Sequence, residues 1–237
     1  MSDRSSRIRS ALLAVDWIAG AGEAVVEALA LSSRWVHLRK GETLFDQGRM
    51  FLHIAVIASG FIESSLLSRD GRQCMTSHMG RGQILGFNGL FLERPAQGTH
   101  VATENTEVVL VPGDILLAEM QRSAVLMRGV LREQSRRIEH LSYLLGDRQL
   151  QSQRVRIART LIMLWAYYEP TATRAGRAPE PQLRLSQQRL ADLTALPRQA
   201  VGGALKQLQA DGLIEVRYSS IALRNLAGLQ AILDQES

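Results

Sequence analysis

From Gly82 to Thr99 the chain reads GQILGFNGLFLERPAQGT, with Gly82, Gly86 and Gly89 inside eight residues. Glycine-rich turns that leave backbone N–H groups unpaired can cradle a phosphate. The stretch therefore either holds an anionic ligand or is a set of tight turns. A second constellation lies in LSQQRLADLTALPRQAVGGALKQLQADGLIEVRYSSIAL, Leu185 to Leu223. At helical spacing, Val201, Leu205 and Leu208 form one face, and Arg198, Gln199, Gly202, Gly203 and Lys206 form the opposite one. Arginine pairs bidentately with guanine and glutamine with adenine. Ser186, Gln187 and Arg217 suit phosphate contacts, which fix position without reading sequence. A third pattern, Met127, Leu131, Gln134, Ile138, Leu141 and Leu145, is spaced 4-3-4-3-4. Over less than three heptads that is either the a/d seam of a paired helix with one polar member or one face of an ordinary amphipathic helix.

Other chemistries find little support. No Ser/His/Asp grouping, P-loop or HExxH motif occurs, and Asp46, Glu42 and Glu63 read as surface charges. No catalytic residue, metal site or cofactor is expected. The candidate haem ligands are Cys74, His78, His53, His37, His100 and His140. Cys74 and His78 lie four apart on a strand and turn, so no helical face joins them. The single cysteine excludes an internal disulfide and a four-cysteine cluster within one chain. A redox role for Cys74 would need an exposed electropositive site, and Arg72 is the nearby cation.

The elements that must position these residues follow from punctuation and periodicity. Residues 36–111 hold short apolar runs (LHIAVIAS, FIESSLLS, EVVLV) between glycines, the pattern of an all-β sandwich or barrel. Asp70-Gly71 suits a type I′ hairpin within Ser68–Gly71. After Pro112 the pattern turns helical. A helix is expected over 152–168, with Ile157, Leu161, Leu164 and Trp165 inward, then a loop, EPTATRAGRAPEP, over 169–181. Ser186 caps a helix Gln187–Leu193, Thr194–Leu196 turns, Pro197 opens a second helix, and Asp211-Gly212 ends it. Leu213–Val216 and Ile221–Leu223 can then pair around Tyr218–Ser220. Two helices, a tight turn and a β wing make a winged helix-turn-helix.

Charge supports this division. Of 28 basic and 23 acidic residues, 12 and 7 fall in 148–237, leaving 16 and 16 before it, so the C-terminal part carries all of the +5. A basic module beside a neutral one suggests a polyanion partner. Apolar residues are 46% and charged residues 22%, enough core and too little bias for wholesale disorder. No run is long enough to span a membrane. The apolar run Ala11–Val15 is too short for a signal peptide and is followed by Asp16 and Glu23, so a cytoplasmic location is expected.

Over residues 25–228 the chain resembles the Crp/Fnr family of bacterial transcription regulators. RKGETLFDQGRMFLHIAVIASGFIESSLLSRDGRQ resembles the family's β-roll, Pro112–Gly146 its short helix and long dimerisation helix, and LSQQRLADLTALPRQAVGGALKQLQADGLI its DNA-binding signature. The resemblance implies an α+β chain: a double-stranded β-helix (β-roll, jelly-roll-like) effector domain over 1–122, a dimerisation helix over 123–148 and a winged helix-turn-helix over 149–237. It implies a homodimer on a near-palindromic double-stranded DNA site, RNA polymerase as a further partner, and an effector pocket beside the dimer helix. That pocket maps onto Gly86, Phe87, Asn88, Gly89, Leu90, Gln97, Gly98, Thr99, Leu141 and Ser142.

Two departures bear on function. Cyclic-nucleotide members carry Gly-Glu-x-x-Leu and an Arg-Ser pair, which hold the ribose and the cyclic phosphate. Here Phe87 stands at the glutamate and Gln97-Gly98 at the Arg-Ser pair. Without its arginine a buried phosphate loses its strongest contact, so cyclic AMP is not expected to bind in the usual way. Arg94 is the cation a shifted loop would use. The alternative is an effector-gated regulator that keeps a cyclic nucleotide or haem in the roll. In the recognition helix the usual Arg-Glu-x-x-x-Arg reads Arg198-Gln199-Ala200-Val201-Gly202-Gly203, so the common half-site is not expected.

Overall fold

The computed structural model describes residues 2–67, 70, 73–150, 152–172, 182–218 and 220–235. They divide into two compact units, Met1–Ser135 and Arg136–Ser237.

The first unit opens with three helices, α1 (Ser2–Leu13), α2 (Asp16–Ala19) and α3 (Glu23–Ser32). Eight strands follow: β1 (Arg34–Leu38), β2 (Thr43–Phe45), β3 (His53–Ser59), β4 (Ile62–Leu67), β5 (Gln73–Met79), β6 (Ile84–Leu85), β7 (Thr99–Ala102) and β8 (Thr106–Pro112). They form two antiparallel four-stranded sheets, ordered β1-β8-β3-β6 and β2-β7-β4-β5. The first sheet is buried on both faces. Ala55, Ile57, Val108 and Leu110 point into the roll with Leu38, Ile62 and Leu85. Ile54, Val56, Val109 and Val111 point outward, against Leu12, Ile18, Val26 and Leu29 of the N-terminal helices. Strands buried on both sides read as unbroken apolar runs, which explains LHIAVIAS and EVVLV.

The helical N-terminal layer was not expected; its periodicity is spread over three short helices. It is also tied at its rim. Arg7 pairs with Glu107 at 2.7 Å and its guanidinium lies 4.3 Å above the Trp35 ring. Leu67 opposes Gln73, as the expected β4–β5 hairpin requires, but its turn residues Ser68, Arg69 and Gly71 lie outside the described residues, as does Arg72.

A short helix α4 (Phe87–Leu92) sits between β6 and β7, and α5 (Gly113–Arg122) follows β8. The long helix α6 (Ala124–Leu150) then starts under a cap, the Leu126 N–H donating to Ser123 Oγ at 3.2 Å. Leu126 and Val130 join the cluster under the N-terminal helices.

The second unit contains α7 (Gln153–Ala172), β9 (Gln182–Leu183), α8 (Gln187–Thr194), α9 (Arg198–Ala210), β10 (Ile214–Arg217), β11 (Ser220–Leu223) and α10 (Leu226–Gln235). Helix α7 continues through Pro170 to Ala172, so the loop expected from 169 begins later. Pro170 has no N–H to donate to the carbonyl of residue 166, so the last turn is held by one backbone bond fewer. Residues 173–181 of that loop lie outside the described residues. The core joins Ile157, Leu161 and Trp165 of α7 to Leu190, Val201, Leu205, Leu208, Ile214 and Leu223, with Leu164 partly buried against it. No helix among the described residues is long and apolar enough to cross a membrane.

Candidate nucleic-acid interface and effector loop

The helix-turn-helix is built by local rules. Ser186, in extended conformation, caps α8 by accepting the Arg189 N–H at 3.2 Å. Helix α8 ends one residue later than expected, at Thr194, whose hydroxyl folds back to the Leu190 carbonyl at 2.6 Å. Ala195 turns the chain with φ +50°, the left-handed region. Leu196 is tucked into the core, and Pro197 sits at the N-cap of α9. The turn is braced from α7: Arg156 Nη2 donates to the Thr194 carbonyl at 2.5 Å. Arg154 pairs with Asp211 at 2.6 Å, fixing the far end of α9.

Helix α9 therefore buries Val201, Ala204, Leu205 and Leu208, and the other face is bare. Arg198, Gln199, Gly203 and Lys206 are exposed and Gly202 is half-buried. A Cβ at Gly203 would meet nothing within 4 Å, and one at Gly202 only Gln187 Oε1 at 3.7 Å. The surface is a cationic helix face with its backbone accessible, the shape and charge that a major groove accepts. Strands β10 and β11 pair from Ile214↔Leu223 to Arg217↔Ser220, the expected wing. Ser219 lies outside the described residues, and Tyr218 at the tip is fully exposed. Arg217, expected as a phosphate contact, is engaged by Glu215, its Nε donating to Oε1 at 2.9 Å.

In the glycine-rich stretch, the expected turns and polar loop include a helix, α4. Gly86 enters it at φ +102°, and a Cβ there would lie 2.1 Å from the His53 carbonyl oxygen. A Cβ at Gly89 would lie 2.3 Å from the Phe51 carbonyl oxygen. Both glycines let α4 lie directly on the backbone at the start of β3. Phe87 is buried in the outer cluster with Leu90, its ring 6.2 Å from Trp17 and 5.9 Å from Phe91. Asn88, Arg94 and Gln97 are exposed. Gly98 is buried, its Cβ position 2.7 Å from the Ser65 carbonyl oxygen, and Thr99 Oγ1 accepts the Gln47 N–H at 3.1 Å.

Sequence reasoning did not find the polar pair inside the roll. His100 Nδ1 and Ser64 Oγ share a hydrogen bond at 2.5 Å. The His100 ring lies 4.0 Å from Phe45, which stacks on Phe51 at 4.1 Å. Burial lowers the His100 pKa to about 4, so the imidazole is neutral near pH 7. Strand pairing joins the two residues across 36 positions, a separation that leaves no local signal.

The haem candidates do not converge. A bulge opposite Ser64/Ser65 breaks the alternation of β5, leaving Cys74 exposed and His78 buried and stacked on Phe61 at 5.0 Å. His37 is exposed on β1, and the His140 side chain lies outside the described residues. Among the described residues no group of three His, Cys, Asp or Glu could hold a metal ion.

On α6 the seam residues Met127, Leu131, Ile138 and Leu141 are 40%, 59%, 65% and 56% exposed. Between them Gln134 Nε2 is buried without a hydrogen-bond partner among the described residues. Ser142, also exposed, donates to the Ile138 carbonyl at 2.9 Å. The Leu145 side chain lies outside the described residues.

A family model for the cyclic nucleotide-binding domain matches residues 35–123, and one for the Crp-like helix-turn-helix domain matches 155–232. The CRP-like protein Clp of Xanthomonas campestris is 30% identical over 182 residues, covering 70% of this chain and 74% of the relative. The transcriptional activator protein FnrA of Stutzerimonas stutzeri is 27% identical over 201 residues, covering 82% of this chain and 78% of the relative. Among solved structures, FixK2 from Bradyrhizobium japonicum shares the fold with a TM-score of 0.68 at 20% identity, covering 84% of this chain and 96% of that one.

The half-buried, neutral His100 gives a pH dependence. The unfolded chain takes up a proton near pH 6.5, whereas folded His100 does so only at about 4. Between those values the unfolded state binds more protons, so stability falls as pH falls, by about 3 kcal/mol across the window. His100→Gln keeps a partner for Ser64 without titrating. The urea midpoint should therefore drop less between pH 7 and pH 4.5 in the variant than in the parent. Equal drops would show that His100 does not carry the effect.

Proposed function

The chain belongs to the Crp/Fnr family of DNA-binding transcription regulators, and from that premise we propose that it works as a homodimer in the cytoplasm on a near-palindromic promoter site, with control that does not use cyclic AMP in the usual way. The observation that carries the DNA reading is the bare face of α9, held by the capped and braced turn before it. In this reading Arg198 and Gln199 reach base edges, Gly202 and Gly203 allow close approach of the backbone, Lys206 shares their outer face, and Ser186, Gln187 and Arg217 contact phosphates. RNA polymerase is the partner through which binding changes transcription.

The seam on α6 supports the homodimer. Its large apolar side chains are exposed along one line, and isolated exposed leucines need no explanation whereas a continuous row does. The orphaned Gln134 amide within that row fits pairing with a second copy, since a buried polar group without a partner costs about 1–3 kcal/mol. The domain limits consistent with this are a β-roll effector domain to 122, a dimer helix over 123–148 and a DNA-binding domain from 149.

The effector reading rests on charge. Phe87 is part of the core beside Trp17, and Gln97 and Gly98 bring no cation. The polar groups inside the roll, Ser64 and His100, are neutral at pH 7. An effector held in the roll would then be a small molecule without a buried anionic group.

Three outcomes test this reading. Genomic fragments recovered with the full-length protein should yield one palindromic site, bound equally with and without cyclic AMP. Binding that appears only with the nucleotide would show that another cation, such as Arg94, serves the phosphate. Arg198→Ala should weaken binding to the recovered site by about 1–3 kcal/mol and relax one base position; unchanged affinity would remove Arg198 from base reading. Replacing Ile138 and Leu141 together with Lys should give monomers in sedimentation and weak DNA binding, and intact dimers would refute the seam.

A further inference from the structure

The wing holds an ion triad. Glu215 on β10 accepts Arg217 Nε on Oε1 at 2.9 Å and Arg224 Nε on Oε2 at 3.0 Å, and Arg224 Nη2 closes on the same Oε2. Arg217 Nη2 is 3.4 Å from Oε2. All three side chains reach solvent. The two guanidinium hydrogen bonds lower the Glu215 pKa to about 2, so the carboxylate is charged at any pH at which DNA is bound.

The triad adjoins the recognition surface. The exposed row of α9 that runs through Gln199, Gly203 and Lys206 continues at Gln209, whose Oε1 accepts the Val216 N–H at 2.8 Å. That bond ties β10 to the end of the row, between Glu215 and Arg217. The fully exposed Tyr218 marks the wing's outer end.

Resting on the DNA-binding reading above, we infer that Glu215 is a specificity-setting residue: it occupies Arg217 and Arg224 internally and so withholds the wing's cations from phosphates met in non-specific encounters. Non-specific binding is almost wholly phosphate neutralisation by Lys and Arg. Two arginines sharing one carboxylate present a net single charge to the duplex, and Glu215 itself repels phosphate. Each exposed ion pair is weak, and a guanidinium has five donors. A phosphate held at the right place by α9 can therefore recruit an arginine that a phosphate in a random register does not. The carboxylate lowers non-specific affinity more than specific affinity.

The test uses the full-length protein with two duplexes, a random sequence and the recovered specific site, each across a salt series. Glu215→Gln keeps the size and an acceptor but removes the charge. It should raise affinity for the random duplex several-fold and steepen its log–log salt slope by about 1–2, at roughly 0.9 for each additional phosphate neutralised. The specific site should gain less, so the discrimination ratio falls. Arg217→Ala should cost random-duplex affinity more in the Glu215→Gln background than in the parent, which separates release of Arg217 from simple loss of repulsion. Thermal melting confirms that each variant is folded, and Glu215→Ala serves if the glutamine variant is not. An unchanged random-duplex affinity and slope in Glu215→Gln would overturn the inference, as would an equal cost of Arg217→Ala in both backgrounds. Failure of the parent to bind either duplex would instead overturn the DNA-binding reading.

Discussion

Burial of both faces of the β1-β8-β3-β6 sheet is the constraint on which the first unit depends. Along β3, Ile54 and Val56 face the helices while Ala55 and Ile57 face the roll, and β8 repeats the pattern with Val109, Val111, Val108 and Leu110. Side-chain direction alternates along a strand, so a one-residue slip would exchange the two sets. The sheet thus needs a cover of matching shape, and α1–α3 supply it. The same cover holds α4 through Phe87 and Leu90 and the start of α6 through Leu126 and Val130. Helix α4 and the start of α6 are thus anchored in one apolar layer. Neither can shift far without disturbing the other's packing, because close-packed interiors do not deform gradually.

The second unit is organised differently, by fixing one turn and leaving one surface open. The Ser186 cap, the left-handed Ala195, Pro197 and the Arg156 bond to the Thr194 carbonyl all act within a few residues of the bend between α8 and α9. They set the angle of α9 without using any group on its outer face. The wing is joined to the same helix by a side-chain bond, Gln209 to Val216. Rigidity is concentrated where orientation is decided, and the outer face of α9 takes no part in it.

That difference also explains what the sequence made legible. The helix-turn-helix announces itself through local signals: a serine N-cap, a proline at the helix entry, Asp-Gly at its end and Val201, Leu205 and Leu208 on one stripe. The strands of the roll were visible as glycine-punctuated apolar runs for the same reason. What stayed hidden depends on distant partners. Phe87 could be seen to replace a charged residue, but its place beside Trp17 is decided by helices 70 positions upstream. Glycine density concealed α4, because Gly89 is required by contact with Phe51, and Gly86 by contact with His53 as well as by its left-handed φ. The His100–Ser64 pair arises from strand pairing, and the triad at Glu215 from a hairpin that brings Arg224 back beside β10.

The glycines of the two units differ in their freedom to change. At Gly86 and Gly89 any side chain would enter the backbone of the neighbouring segment, so these positions are closed to evolution while the roll persists. At Gly202 and Gly203 no such wall exists, and most replacements would even favour the helix, by up to about 1 kcal/mol for alanine. The outer face of α9 is therefore a place where new side chains can be tried one at a time with no loss of folding. In a lineage carrying this chain, the outer face of α9 can change by point mutation while the fold that orients the helix stays intact.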